Sequence, residues 1–258
     1  MGFQQNWIAF CTIYIKEVRR FLRIWPQTLL PPAITMTLYF VIFGHVIGSR
    51  IGQMAGFDYM TFVVPGLVMM SVVTNSYSNV SSSFYSNKFQ KSIEELLVSP
   101  VPNWIILLGF VMGGVTRGLM TAFIVILLSL FFVDFQVFDI VATIAAVLLT
   151  AVMFALGGFI NALFAKSFDD ISIIPTFVLT PLTYLGGVFY SVSVLPEFWQ
   201  GVSQINPILY QVNAFRYGML GYSGVVDLTL AFSIMTAAVV ALFGISLRLL
   251  NKGWGLRS

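Results

Sequence analysis

A chain of 258 residues that is 58% hydrophobic and only 9% charged carries more apolar surface than a water-soluble fold of this size can bury, so lipid must be the solvent for much of it. The net charge of +3 excludes little by itself, because orientation in a membrane depends on where Lys and Arg stand and not on their sum. Long unbroken apolar runs replace the alternation of a lipid-facing barrel strand, which leaves helices as the spanning elements.

The opening MGFQQNWIAF has no basic stretch followed by an apolar run and a small-residue cleavage site, so no cleaved leader is expected. Asn6 stands where a myristoylation signal needs Ser or Thr. Over residues 7–23, Ile8, Cys11, Ile15, Val18 and Leu22 recur at helical spacing, and Lys16, Arg19, Arg20 and Arg23 crowd the second half. That pattern describes an amphipathic helix lying in the interface with its basic side toward anionic headgroups; a plain surface anchor has the same signature. Cys11 is the single cysteine, so no internal disulfide forms.

A spanning helix needs roughly 20 mostly apolar residues. Spans are expected near residues 27–48, 61–84, 105–133, 138–165, 173–192 and 225–247. His45, beside Gly44, reads as the outer cap of the first span. The second span carries Ser71, Thr74, Asn75, Ser78, Asn79 and Ser82 at spacings of three and four, which suits either a polar wall of a transport path or hydrogen bonding to neighbouring helices. Segment 87–98, NKFQKSIEELLV, places Ile93, Leu96 and Leu97 on one face, with Lys88, Lys91, Glu94 and Glu95 elsewhere, and Pro100 and Pro102 follow. This is a short surface helix that either receives force from a partner or is a solvated linker. In the third span Arg117 is costly in lipid, so it either finds a partner in the bundle or snorkels to the interface. Gly113, Gly114 and Gly118 beside it favour close helix approach.

Residues 166–172, KSFDDIS, hold the paired carboxylates Asp169 and Asp170, which a helix N-cap and first turn explain more simply than a metal or catalytic role. Residues 191–224 are moderately apolar but broken by Pro196 and Pro207, and read as two short helices dipping into the outer leaflet, where protein or water must cover the backbone. Arg216 lies in the second of them, placed to reach the outer surface.

Lys16, Arg19, Arg20, Arg23, Lys88, Lys91, Lys166, Arg248, Lys252 and Arg257 fall on one side of these spans, against Arg50 and Arg216 on the other, so both termini are expected in the cytoplasm. No G-x-x-x-x-G-K-[ST], HExxH or G-x-S-x-G occurs, so phosphate cradling, zincin chemistry and the nucleophile elbow are excluded. One His and one Cys cannot build a Cys/His metal cluster.

Residues 181–221 closely resemble the C-terminal region of ABC-2 type exporter permeases. Tyr184, Gly187, Val188, Phe189 and Tyr190 fit its Y-x-x-G-V-F-Y core, Leu195 and Pro196 the following Leu-Pro, Asn206 and Pro207 its Asn-Pro, and Arg216 the Arg near its end. EELLVSPVP, residues 94–102, resembles the family's loop after the second span. Ser191 departs from the pattern where many members carry proline, which should loosen the start of the outer loop.

The resemblance implies an all-α, single transmembrane domain over residues 1–258 with six spans, in a bacterial inner membrane. It implies a homodimer in contact with membrane lipid, served by two copies of a separate cytoplasmic ATPase that holds ATP and magnesium; no nucleic acid is involved, and this chain carries no cofactor and catalyses nothing itself. Residues 7–23 become a connecting helix along the ATPase and 87–98 the coupling helix, with Asp169 and Asp170 in a second contact. Residues 194–222 become the outer re-entrant segment. The second and fifth spans, with Ser71, Asn75, Ser78, Asn79, Tyr184 and Phe189, would line the path for an amphiphilic or lipid-like substrate.

Two other readings stay open. A proton-coupled transporter needs buried ionisable groups, and every Asp and Glu maps to a loop or span end. A non-catalytic scaffold would not need the re-entrant segment or the polar second span. A membrane enzyme would need a catalytic His, Ser–His pair or intramembrane carboxylates, which the lone His45 does not supply.

Overall fold

The computed structural model describes residues 2–134, 137–222, 224 and 226–255. Arg257, Val225 at the expected start of the last span and the side chain of His45 lie outside the described residues. In chain order the elements are α1 (Phe3–Arg23), α2 (Trp25–Ile51), a hairpin of β1 (Gln53–Met54) and β2 (Phe57–Asp58), α3 (Tyr59–Phe89), α4 (Ser92–Val98), α5 (Asn103–Ser129), α6 (Ile140–Phe164), α7 (Asp170–Leu185), α8 (Glu197–Ile205), α9 (Pro207–Leu220) and α10 (Leu228–Lys252). The protein is an all-α membrane protein apart from this hairpin, which turns through Ala55 and Gly56, both at positive φ.

Five helices, α2, α3, α5, α6 and α10, are long and apolar enough to cross a membrane. The span expected at 173–192 is the shorter helix α7, roughly 24 Å long at 1.5 Å per residue. It stops early because Gly186 leaves helical geometry and Gly187 sits at φ +74, turning the chain where the apolar pattern alone runs on. Helices α2 and α7 carry internal prolines. Pro31 and Pro32 lie near the start of α2, Pro175 and Pro181 lie in α7, and both helices contain a wider π-type turn, at Ile42–Ile47 and Pro175–Leu179.

Helix α3 is the axis of the bundle. Its apolar window is 83% buried by the chain's own helices, against 12% for α2 and 11% for α10. Glycines make that closeness possible. Gly114 and Gly118 of α5 lie on Ser76 of α3, and Gly158 of α6 lies against the Tyr77 carbonyl, so the backbones approach without intervening side chains. Phe84 fills the remaining space, with Phe110 at 5.2 Å and Phe159 at 4.4 Å between ring centroids. Aspartates cap three of the long helices at the same end of the bundle: Asp58 receives the Met60 N–H, Asp139 those of Val141 and Ala142, and Asp227 that of Leu230.

Helix α1 does not present the face its periodicity suggests. Ile8, Ile15 and Leu22 are exposed, and the buried residues are Ile13, Glu17 and Phe21. Gly109 and Gly113 of α5 form a groove that takes Ile13 and Glu17, so α1 packs lengthwise along the bundle and leaves its broader apolar side outward. The helix is amphipathic as expected, but its orientation is decided by that groove.

A methyl group added at Gly158 would overlap the Tyr77 carbonyl, whereas one at Gly157 would only touch the Tyr77 ring at 3.7 Å. Gly158→Ala should therefore destabilise the bundle by about 1–3 kcal/mol, the cost of overpacking. Thermal unfolding in detergent followed by tryptophan fluorescence should show its midpoint fall while Gly157→Ala stays near the parent.

Candidate functional site

At one end of the bundle α3 extends past the expected span to Phe89, so Asn87 and Lys88 belong to it and the separate surface helix is α4 alone. The correction has a physical cause: Lys88 is held at 2.7 and 2.9 Å by the carbonyls of Leu163 and Ala165, where α6 ends and its last carbonyls lack helical donors. Lys91 then turns the chain at φ +59, a left-handed geometry uncommon outside glycine. In α4, Ile93 is buried, Leu96 and Leu97 are half-buried, and Glu94 and Glu95 are exposed, as the amphipathic pattern requires.

The 166–172 loop folds against the same end. Phe168 stands edge-on to Tyr85 at 4.9 Å and to Phe89 at 5.4 Å. A cavity of about 510 Å³ opens between them, lined by Lys88, Lys91, Glu94, Lys166, Tyr85 and Phe89. Asp169 is exposed and its side chain caps nothing. Asp170 does not cap its helix either. Its carboxylate accepts from the Lys166 N–H at 2.7 Å and the Ser167 N–H at 3.1 Å, and these bonds, the Lys166 one first, hold its pKa below the usual carboxylate range. The structure thus brings Lys88, Lys91, Glu94, Lys166 and Asp170 to one face, with Glu95 and Asp169 at its edges.

Of the basic residues of α1, Lys16, Arg19 and Arg23 are exposed, while Arg20 is half-buried. Lys16 donates to Asn87 Oδ1 at 2.7 Å. Arg20 donates to the Asn79 carbonyl at 3.0 Å and its Oδ1 at 2.9 Å, and pairs with Glu17 at 3.3 Å, the one ion pair among the described residues. Glu17, with no exposed surface, is the functional candidate that the sequence reading passed over, and it corrects the statement that every acid lies in a loop or at a span end. The available signal was its position four residues from both Ile13 and Phe21, as the lone acid among four basic residues of that helix.

Arg117 is partnered within the bundle. Its guanidinium donates to Asn75 Oδ1 at 3.1 Å and to the Thr28 carbonyl at 3.2 Å. Thr28 is four residues before Pro32, which has no N–H to offer, so the arginine supplies the donor that the helix cannot.

The polar face of α3 therefore divides. Ser71, Asn75 and Asn79 are buried, and the two asparagines hold arginines. Thr74, Ser78 and Ser82 form the strip left open, their hydroxyls bonded back to Met70 and Ser78 carbonyls or free at the surface. Tyr184 and Phe189 meet at the far end of the bundle, stacked at 5.6 Å, with Phe43 against Phe189 at 4.8 Å.

Two short helices, α8 and α9, follow there as expected. Asn206 caps α9 through the Ile208 N–H at 3.0 Å and ties it to α7 by donating to the Leu182 carbonyl at 2.6 Å, and Pro207 starts the helix. Ser191 is anchored: its N–H meets Met54 Sδ at 3.2 Å and its hydroxyl the Ser193 hydroxyl at 2.8 Å. The expectation that serine loosens this loop is corrected by those bonds, neither of which proline could make. Arg216 does not reach a surface. It is 1% exposed, lies 4.0 Å from the Phe62 ring and donates to the carbonyls of Gly187 at 2.8 Å, Phe62 at 3.3 Å and Val188 at 3.5 Å, with Asn213 Oδ1 at 3.3 Å. The turn at 186–188 exposes carbonyls that only a long, forked donor can gather.

The family model described as "ABC-2 type transporter" matches residues 8–220. The inner membrane transport permease YadH of Escherichia coli K12 is 58% identical over 252 residues, covering 98% of each chain. Nodulation protein J of Neorhizobium galegae is 23% identical over 250 residues, covering 96% of this chain and 93% of its own. Nodulation protein J of Rhizobium meliloti is 24% identical over 250 residues.

Arg216→Met removes the shared donor and leaves buried carbonyls unpaired, each costing about 1–3 kcal/mol. Hydrogen exchange in detergent should show residues 186–195 losing protection, while α3 and α5 keep theirs.

Proposed function

Because the chain belongs to the ABC-2 type transporter family, we propose that it is the membrane subunit of an ATP-driven exporter of the bacterial inner membrane, acting as a homodimer with two separate cytoplasmic ATPase subunits. The whole chain serves as one transmembrane domain. ATP and magnesium reside on the partner, since this sequence holds no phosphate-cradling glycine loop. The location follows the E. coli relative, whose name places it in the inner membrane.

The observation that carries the reading is α4. It is a short amphipathic helix anchored by Ile93, offering Glu94 and Glu95 outward beside a lysine-lined cavity and the 166–172 loop. That is the form of a surface that receives a partner's push. The α4 end is assigned to the cytoplasm from the Lys and Arg gathered there, with Arg50 near the opposite end. ATP closes the two ATPase subunits, their movement displaces α4 and the loop, and the interface between protomers alternates between inward-open and outward-open.

The open strip of α3 and the exposed side of α7 are the surfaces assigned to the path. Thr74, Ser78 and Ser82 offer hydroxyls; Ile173, Phe177, Val178 and Tyr184 offer apolar surface. Such a pair suits an amphiphilic or lipid-like cargo. The buried Asn75 and Asn79 serve as supports behind that wall. The re-entrant pair α8 and α9, locked by Asn206 and Arg216, stands at the exit.

Glu17 is the observation that favours a second reading, proton-coupled transport, because it is a buried acid. The two readings separate on purified protein in nanodiscs. The chain alone should hydrolyse no ATP and should form a two-plus-two complex with its ATPase. Glu94→Ala with Glu95→Ala, both at exposed positions, should lower complex recovery or coupled hydrolysis about tenfold and leave thermal stability unchanged. Transport driven by a pH gradient without ATP would establish the proton reading instead.

A further inference from the structure

The buried polar groups of α1, α3 and α5 form a ladder. Asn75 and Asn79 stand one helical turn apart on α3. Each side-chain oxygen takes one arginine from a different helix: Asn79 takes Arg20 of α1 at 2.9 Å, and Asn75 takes Arg117 of α5 at 3.1 Å. Arg20 continues to Glu17 at 3.3 Å, and Arg117 to the Thr28 carbonyl at 3.2 Å, beside the bend that joins α1 to α2. One set of charge-assisted bonds therefore joins the surface helix, the axis of the bundle, one of its two chief neighbours and the start of the first span.

Two further features make this ladder movable. Helix α1 rides on Gly109 and Gly113 of α5, a groove with no side chains of its own to interlock with Ile13 and Glu17. The ladder is also incompletely paired: Glu17 Oε1, Asn79 Nδ2 and Arg117 Nε are buried with no partner. The vacant acceptor and one vacant donor flank the same glycine, since a Cβ at Gly113 would lie 3.3 Å from Glu17 Cγ and 3.7 Å from Asn79 Nδ2. The contact therefore holds unpaired polar groups beside a smooth glycine seat, so a lengthwise shift of α1 meets no interlocking side chain there.

We infer that Glu17 is a positioning residue of the transport cycle, the toe of a ladder that passes the displacement of α1 to α3 through Arg20 and Asn79 and to the α1–α2 bend through Arg117. This rests on the reading of α1 as a helix moved by the ATPase. The ladder adds how that movement reaches the path: the asparagines that take the load lie on the helix whose other side, Thr74 and Ser78, faces the cargo.

The test uses the full chain with its ATPase in nanodiscs and a spin label at one of two sites, the native Cys11 on α1 or Thr74→Cys on α3 in a Cys11→Ser background. Spectra are compared before and after trapping with magnesium, ATP and vanadate. In the parent both labels should respond. In Glu17→Gln the Cys11 label should still respond, the Thr74 label should lose at least four-fifths of its response, and coupled ATP hydrolysis should fall about tenfold with complex recovery unchanged. Ile13→Ala, which thins the same interface without touching the ladder, should keep both responses, and Arg20→Lys should restore part of the α3 response. If Glu17→Gln folds poorly, Asn79→Ser cuts the same rung from the other side. An undiminished Thr74 response in these variants, or an equal loss in Ile13→Ala, overturns the ladder. Failure of the parent to bind any ATPase overturns the ATPase reading and the ladder with it.

Discussion

A carbonyl oxygen inside a lipid-embedded bundle has no water to turn to, so every proline, turn and helix end inside the bundle creates a demand for a donor. This chain meets much of that demand with long cationic side chains. Arg117 answers the carbonyl that Pro32 frees, Lys88 closes the end of α6, and Arg216 gathers the turn at 186–188. In each case the cation is stabilised by oxygen dipoles more than by a carboxylate; Glu17 with Arg20 is the one ion pair among the described residues. The bend near Pro32, the end of α6 and the turn at 186–188 are thus each supplied with a donor from a distant helix.

The same donors decide which surfaces stay available for work. By drawing Asn75 and Asn79 inward, the arginines leave α3 only a narrow hydroxyl strip, and Arg216 holds the glycine turn at 186–188 with which α7 ends. At the opposite end Lys88 ties α3 to the end of α6 beside α4, so the surface helix rests against the bundle's axis.

Much of this was legible in the sequence, and the failures have a common cause. Apolar runs long enough to span lipid announce themselves by composition, the short helix α4 by its Ile93, Leu96 and Leu97, and the pair α8 and α9 by its prolines. Periodicity says that a helix has two kinds of face; it does not say which neighbour each face meets. Hence α1 turned out to bury Glu17 beside Gly113, a match between an acid and a glycine 96 positions apart that no local pattern encodes. Arg216 looked like a surface anchor because the carbonyls that hold it come from segments 28 and 154 residues away. Asp170 looked like a helix cap, and its nearest unpaired N–H groups instead belonged to the loop before it. Gly186 and Gly187 did carry a local signal for ending α7, masked by the apolar residues around them.

The burial of α3 by its own chain has a consequence for how the helix is held in the membrane. Its window is the least apolar of the five long helices, and its asparagines find side-chain partners on α1 and α5. A helix of that kind gains less from lipid than the other long helices do, and α5 supplies Arg117 and the glycine seats that hold it. Its residence across the bilayer thus draws on its neighbours as well as on lipid, since α5 and α6 supply much of the surface that encloses it.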